Sequence, residues 1–358
     1  MMGALVVVRD PIARERFAGR TLIERHAEIL RRAGVDDVRV VDGAEAGAAR
    51  SAAPPGRDRR RLLVVAAERI FDPRLYAHAL AQPGPAVMTD RGEPIGMEVA
   101  DDGTPQTRVD IAEMDPYSRE LRRAIPAFWM RVTSAADRPE VARMLVEASG
   151  KGHQDLPAIW INAPIEKAIA RKLAGTGVTP NQITLVCNVL AYVVALLLAR
   201  GQLLAGAIGG MVVGVIDGLD GRQARVQVRT SRLGRLEHLL DKVYEVLWVV
   251  ALAYYLSSGF SDARLVTELW VWVAAYLLDT AAYDVVKWRR GMTLDEATRI
   301  DAAIRLVAGR RNIYTSLLLV GVLIGRPAAA FHVIVWWAAA TALVHWIRAA
   351  MLVSPRPG

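Results

Sequence analysis

Cysteine is almost absent: Cys187 is the sole one in 358 residues. A disulfide within the chain is therefore excluded, and a lone cysteine in an apolar run says nothing about redox compartment. No nucleic-acid motif, and no interleaving of aromatic with basic residues, accompanies the net charge of +8. The excess of Lys and Arg is therefore read as membrane anchoring and phosphate handling, and no nucleic-acid partner is expected. The opening residues MMGALVVVRDPIARERF have only a short apolar stretch, with Arg9 and Asp10 at once behind it. That is the pattern of a buried strand rather than a signal peptide.

What is present divides in two. A mean hydropathy of +0.22 beside 23% charged residues is an odd mixture for one globular domain. An apolar portion joined to a charged one explains it, since residues 1–160 carry most of the Arg, Asp and Glu and the apolar portion begins near residue 182. The length allows two or more domains. The expected division is a soluble α/β domain over 1–150, a linker with a surface helix over 151–180, and a membrane domain over 181–358.

In the first part, residues 4–8 (ALVVV) and 62–67 (LLVVAA) are short apolar runs of the buried parallel-strand type. Between them Leu22 to Leu30 reads as an amphipathic helix stopped by Ala33-Gly34, and Val38–Val41 as another strand. Strand, helix, strand in that space is a βαβ unit and implies a layered α/β domain. Residues 51–61 read as a solvated loop, 137–148 as a closing helix, and 149–153 as linker. Residues 164–173 place Ile165, Ala168, Ile169 and Leu173 opposite Lys167, Arg171 and Lys172, the pattern of a helix lying on a membrane surface. Pro180 then opens a helix at its favoured first turn.

Apolar segments follow near 182–200, 203–220, 238–257, 265–286, 312–325 and 328–352, several of them near the roughly twenty residues that span a bilayer. Six spans put both chain ends on one side. The 287–311 and 222–235 connections carry seven and five Lys or Arg, against one each for 257–264 and 325–327. Basic connections face the cytoplasm, so the N-terminal domain and the acidic site described next are expected there. Trp270, Trp272, Trp336, Trp337 and Trp346 read as interface belts and packing.

The second apolar segment ends in Asp217-Gly-Leu-Asp220-Gly221-Arg-Gln-Ala224-Arg225. Asp217 and Asp220 fall on one helical face, and Gly221 and Ala224 continue it with almost no side chain, so a ligand can come close. A later helix carries Glu237 and Asp241 at i, i+4. Four carboxylates at membrane depth are costly, and divalent cations are the natural neutralisers. Asp279 and Asp284, inside the fourth span, are functional candidates on the same ground, with pairing to a basic group as the alternative.

The pattern Asp-x2-Asp-Gly-x2-Ala-Arg, eight residues, then Gly234 resembles the signature of the CDP-alcohol phosphotransferases, integral-membrane enzymes that move a substituted phosphate from a CDP-alcohol to an acceptor alcohol and release CMP. The phrase Thr179-Pro-Asn-Gln-Ile-Thr184, and the stretch from Lys151 to Asn162 with Asp155, resemble the family's lead-in to the first membrane helix. Members continue Gly-x3-Asp-x3-Asp. Strict counting from Gly234 lands on His238 and Lys242, whereas removing one residue of spacing aligns Glu237 and Asp241, which can supply anionic oxygens. The resemblance implies two Mg²⁺ or Mn²⁺ ions on Asp217, Asp220, Glu237 and Asp241. It also implies Asp241 as general base, a nucleotide bed at Gly221, Ala224 and Arg225, and Arg310 and Arg311 at an acceptor-phosphate site. His238 reads as a polar neighbour. The partners implied are a CDP-alcohol, an acceptor alcohol or phosphoalcohol and the lipid bilayer; a homodimer is typical of the family.

Gly19–Arg25 and Leu30–Val41 resemble the sugar-phosphate nucleotidyltransferases. There a glycine-rich loop after the first strand cradles phosphate; here Val8–Arg14 has no glycine, and Glu68 stands where a metal-binding Asp is expected. The resemblance implies the fold of a degenerate nucleotidyltransferase-like domain. The fused arrangement resembles enzymes that join CDP-inositol to inositol phosphate, with phospholipid synthesis from CDP-diacylglycerol as the close alternative. From another class, a non-catalytic membrane carrier or scaffold with a degenerate metal site is the competing reading.

Overall fold

The computed structural model describes residues 3–51, 61–101, 107–229 and 234–354, without the side chains of 50, 51 and 234–238. The loop expected at 51–61 therefore lies almost wholly outside the described residues, as do the side chains of Glu237 and His238. The chain divides into two compact units, Met1–Ser149 with Arg171–Gly177 and Gln223–Arg229, and Gly150–Ala170 with Val178–Arg222 and Thr230–Gly358.

The first unit is α/β. In chain order it holds β1 (Gly3–Val8), α1 (Leu22–Arg32), β2 (Val38–Asp42), α2 (Ala46–Ser51), β3 (Leu62–Ala66), α3 (Pro73–Leu80), β4 (Ala86–Asp90), β5 (Glu93–Ala100), β6 (Thr107–Asp110) and α4 (Arg138–Ala148). The sheet runs β2-β1-β3-β5-β4-β6. β1 is parallel to both β2 and β3, so the expected βαβ unit is present. β5 enters antiparallel to β3 and β4, which makes the sheet mixed. The β4–β5 turn is Arg91-Gly92, both at positive φ (50° and 84°), the two-residue geometry that matches strand twist.

α1 begins where the sequence can cap it. Thr21 and Glu24 form a reciprocal capping box, and the helix stops before Gly34 at φ 85°. Its inner face puts His26 into the core at 1% exposure. Nδ1 accepts from the Tyr76 hydroxyl at 2.5 Å and Nε2–H donates to Ala67 O at 3.2 Å, so one neutral tautomer satisfies both nitrogens. Instead of a glycine loop, β1 is followed by a single 3-10 turn, Pro11–Arg14, capped by the Asp10 side chain on Ile12 N.

The second unit is helical: most of α5 (Ala163–Ala174) and α7 (Leu203–Val226), together with α6 (Pro180–Ala199), α8 (Gly234–Leu256), α9 (Ala263–Arg290), α10 (Arg299–Val307), α11 (Arg311–Leu323) and α12 (Pro327–Val353). Among the described residues, five stretches are long and apolar enough to cross a membrane: α6, α7, α9, α12, and Arg299–Leu323, which joins α10 and α11. The remaining expected span is α8, which carries Asp241, Lys242 and Glu245 within its first half. α7 continues through its own Asp pair to Val226, past the apolar segment's expected end near 220. Trp272, at 1% exposure, is a core residue stacked on Tyr276 rather than part of a belt.

Burial holds the imidazole of His26 neutral, its pKa pushed down to about 4. The unfolded chain takes up that proton near pH 6.5 and the folded chain does not, so stability is full above pH 6.5 and falls as pH drops toward 4. The expected loss is on the order of 3 kcal/mol. Acid unfolding followed by tryptophan fluorescence should flatten in this window in a His26→Gln variant.

Candidate active site

α7 approaches its neighbours through glycine. Gly206, Gly210, Gly214 and Gly218 recur every fourth residue on one face. A Cβ at 210 would lie 2.8 Å from Thr315 Cγ2, and one at 214 would lie 2.7 Å from Asn312 Oδ1. A Cβ at 218 would collide with Glu166 Oε1. Bare backbone lets polar groups from other helices reach α7. Glu166 uses that room to pair with Arg222 at 3.1 Å, both side chains being almost fully buried.

Asp217, one residue before the last of these glycines, meets Arg311 at the start of α11, with Arg311 Nη2 donating to Asp217 Oδ2 at 2.5 Å. The same guanidinium donates to the Tyr244 hydroxyl and stands 3.6 Å from Glu245 Oε1. Tyr276 closes the set by donating to Glu245 Oε2 at 2.9 Å. Groups from α7, α8, α9 and α11 thus share one positive charge. Asp220 is buried and accepts from Thr184 Oγ1 at 2.7 Å and from Gly221 N. Behind α11, Asn312 donates to both Asp155 oxygens at 3.2 Å, while Arg305 lies 3.8 Å from Asp155 and 3.5 Å from Asp295.

Beside this network is a cavity of about 500 Å³, bordered by Asp241, Glu245, Asp279, Asp284, Arg310 and Arg311. Of the residues expected from sequence, Asp241, Arg310 and Arg311 border it; Asp217 joins it through Arg311; Asp220 lies on α7 under Thr184. Gly221 is half-buried on the same helix. Ala224 and Arg225 belong to the first unit, where Arg225 Nε donates to Ser149 O at 2.7 Å. Glu245 was not anticipated. It stands one turn after Asp241 with the i, i+4 spacing that had been assigned to Glu237 and Asp241, and pairing Asp241 forward instead of backward would have found it.

The donors suit a hard divalent cation in kind, being carboxylates drawn to one positive charge. Among the described residues no three His, Cys, Asp or Glu side chains gather as a metal cluster.

Residues 177–353 match the family described as CDP-alcohol phosphatidyltransferase. The chain carries a CDP-alcohol phosphatidyltransferase domain. Similar proteins include the "Bifunctional IPC transferase and DIPP synthase" of Aquifex aeolicus, 25% identical over 58% of this chain and 47% of that protein. The Thermococcus kodakarensis protein of the same description is 29% identical over 51% of this chain and 41% of its own length. The chain thus spans less than half the length of these relatives.

In this CDP-alcohol phosphatidyltransferase domain, Gly218→Ala should displace Glu166 from Arg222. A charged hydrogen bond of this kind contributes roughly 2 kcal/mol. The expected result is a lower melting temperature in detergent, whereas Gly175→Ala, where a Cβ meets no atom within 4 Å, should change little.

Proposed function

We propose that the chain is an integral-membrane, six-span CDP-alcohol phosphotransferase. It would transfer a substituted phosphate from a CDP-alcohol to an acceptor alcohol or phosphoalcohol and release CMP. The observation that carries the reading is the convergence of Asp217, Tyr244 and Glu245 on Arg311 beside a cavity bordered by Asp241. A cluster of acids around a cavity, inside a helical unit, suits an anionic substrate only when cations balance the site.

In this scheme the acceptor hydroxyl attacks the β-phosphorus of the CDP-alcohol, forming a new P–O bond as the bond to CMP breaks. Asp241 takes the hydroxyl proton. Asp217, Asp220 and Asp241, with Glu237 or Glu245 completing the set, would hold two Mg²⁺ or Mn²⁺ ions, which supply charge neutralisation to the diphosphate. Arg310 and Arg311 bind phosphate oxygens. Gly221 leaves room for the nucleotide against α7. The heavily basic connections favour a cytoplasmic site and a cytoplasmic N-terminal domain, and a homodimer remains part of the proposal. A donor of the CDP-inositol kind is favoured over CDP-diacylglycerol by the descriptions of the relatives.

Metal-dependent CMP release from purified protein is the test. Asp217→Asn and Asp241→Asn should each lower it at least a hundredfold, because a carboxylate ligand or base is lost. A carrier or scaffold would release no CMP with any CDP-alcohol. Glu237→Gln and Glu245→Gln, compared side by side, identify which glutamate completes the set: the variant with wild-type turnover is not a ligand.

The first unit is proposed to be a nucleotidyltransferase-like domain without the transfer activity. A proline-led 3-10 turn replaces a glycine loop after β1. Incubation with CTP and a polyol phosphate should yield no pyrophosphate; its release would make the protein bifunctional.

A further inference from the structure

The first unit holds a cavity that the chemistry above does not use. Its volume is about 350 Å³, within the range of small-molecule sites. It is lined from α1, α3, α4, the stretch between Ser118 and Phe128, and Arg225 and Val228 at the end of α7, all of which belong to this unit. Much of the lining is apolar, with Ile29, Ala77, Leu121, Phe128, Leu145 and Val228 among its residues. Four arginines also border it, Arg25, Arg32, Arg74 and Arg225, against two acids, Asp72 and Glu120. The cavity is therefore apolar with a surplus of positive charge.

Two of these guanidiniums have acids of their own. Arg74 Nη2 donates to Asp72 Oδ2 at 2.7 Å, and Arg32 Nε donates to Glu28 Oε1 at 3.1 Å. Arg225 Nε donates to Ser149 O at 2.7 Å. Arg25 stands apart. It is 3% exposed, forms no ion pair among the described residues, and makes one hydrogen bond there, from Nη1 to Val226 O at 2.7 Å. Its Nε is buried without a hydrogen-bond partner. Val226 ends α7, and a helix C-terminus supplies about half a unit of negative charge. Part of a full positive charge is thus left unanswered among apolar groups. Burial, with the like charges of Arg20 and Arg32 beside it, pushes the Arg25 guanidinium down to about 10.

A ligand for this cavity has two requirements to meet. A neutral apolar molecule would fill the space and leave the guanidinium desolvated at a cost. A bare inorganic ion would answer the charge and leave the apolar lining against water. One negative charge matches the shortfall at Arg25, whereas a second would be repelled by Asp72 and Glu120. We infer that this cavity binds a small organic monoanion, with its anionic head, a carboxylate or a phosphodiester, on Arg25 and an apolar body against Leu121, Phe128 and Leu145. The site takes no part in the proposed transfer reaction, and the inference does not rest on that reading.

The test is a ligand-observed NMR titration of the detergent-purified full chain with phenylacetate, methyl phenyl phosphate, phenylacetamide and acetate. Phenylacetamide keeps the shape without the charge, and acetate keeps the charge without the body. The tighter of the two aromatic anions should bind about tenfold or more better than the amide and acetate, the effect of one charged hydrogen bond, and which anion that is identifies the head group. Arg25→Met, close in length but uncharged, should abolish the preference for the aromatic anion over the amide. Ala77→Leu adds bulk to the lining with Arg25 in place; it should weaken the aromatic anion, and it carries the test if Arg25→Met does not fold. Equal binding of anion and amide by the wild type overturns the inference, as does acetate binding as tightly as the aromatic anion. So does an Arg25→Met variant that keeps the preference, or an Ala77→Leu variant that binds the aromatic anion unchanged. CMP release is read separately, so its absence would sink the transferase reading and leave this site standing.

Discussion

A single guanidinium organises the helical unit. Arg311 is 12% exposed, and the carboxylates it meets arrive from two other helices. Acids at such a depth are tolerable only if a cation answers them, and the cation is tolerable only if the acids are there. Neither α7 nor α8 could keep its charged face inward without the start of α11. The packing that allows this comes from absence: four glycines on α7 remove the side chains that would hold its neighbours away. Electrostatics and close backbone approach are thus one device, in which bare helix surface gives polar groups the room to find each other.

Much of this was legible in the sequence because periodicity is a local property. The βαβ start, the closing helix of the first unit and the helix expected at 164–173 are all present, α4 and α5 with ends moved by a residue or two. α7 itself appears where the second apolar segment was read, and runs past Asp220 to Val226. The mixed order of the sheet was not legible: alternation along β5 cannot say which neighbour it pairs with, and only the Arg91-Gly92 turn hints at its antiparallel entry.

The site divides along the same line. Asp217, Asp241 and the two arginines carry their signal in residue type and spacing. Glu245 and Tyr244 do not, because what recruits them is a partner on another helix. Glycine at 206, 210, 214 and 218 was a readable repeat, yet its meaning lay in what fills the groove. The family match and the relatives agree with the resemblance carried by residues 217–225, while the relatives' greater length leaves the full range of their activities outside what this chain alone establishes.

α11 has 13 residues, about 20 Å of helix, whereas the hydrocarbon layer of a bilayer is about 30 Å thick. Its first turn carries Arg311, and the connection to α10 brings Arg310 and the end of a second, amphipathic helix to the same level. Where α11 alone faces lipid, the layer would thin, or admit its headgroups and water, to meet it. The membrane surface would then dip toward the cavity on this side. On the proposed reading, a water-soluble donor and a water-soluble acceptor would then each need to descend less far to meet at the arginines that open α11.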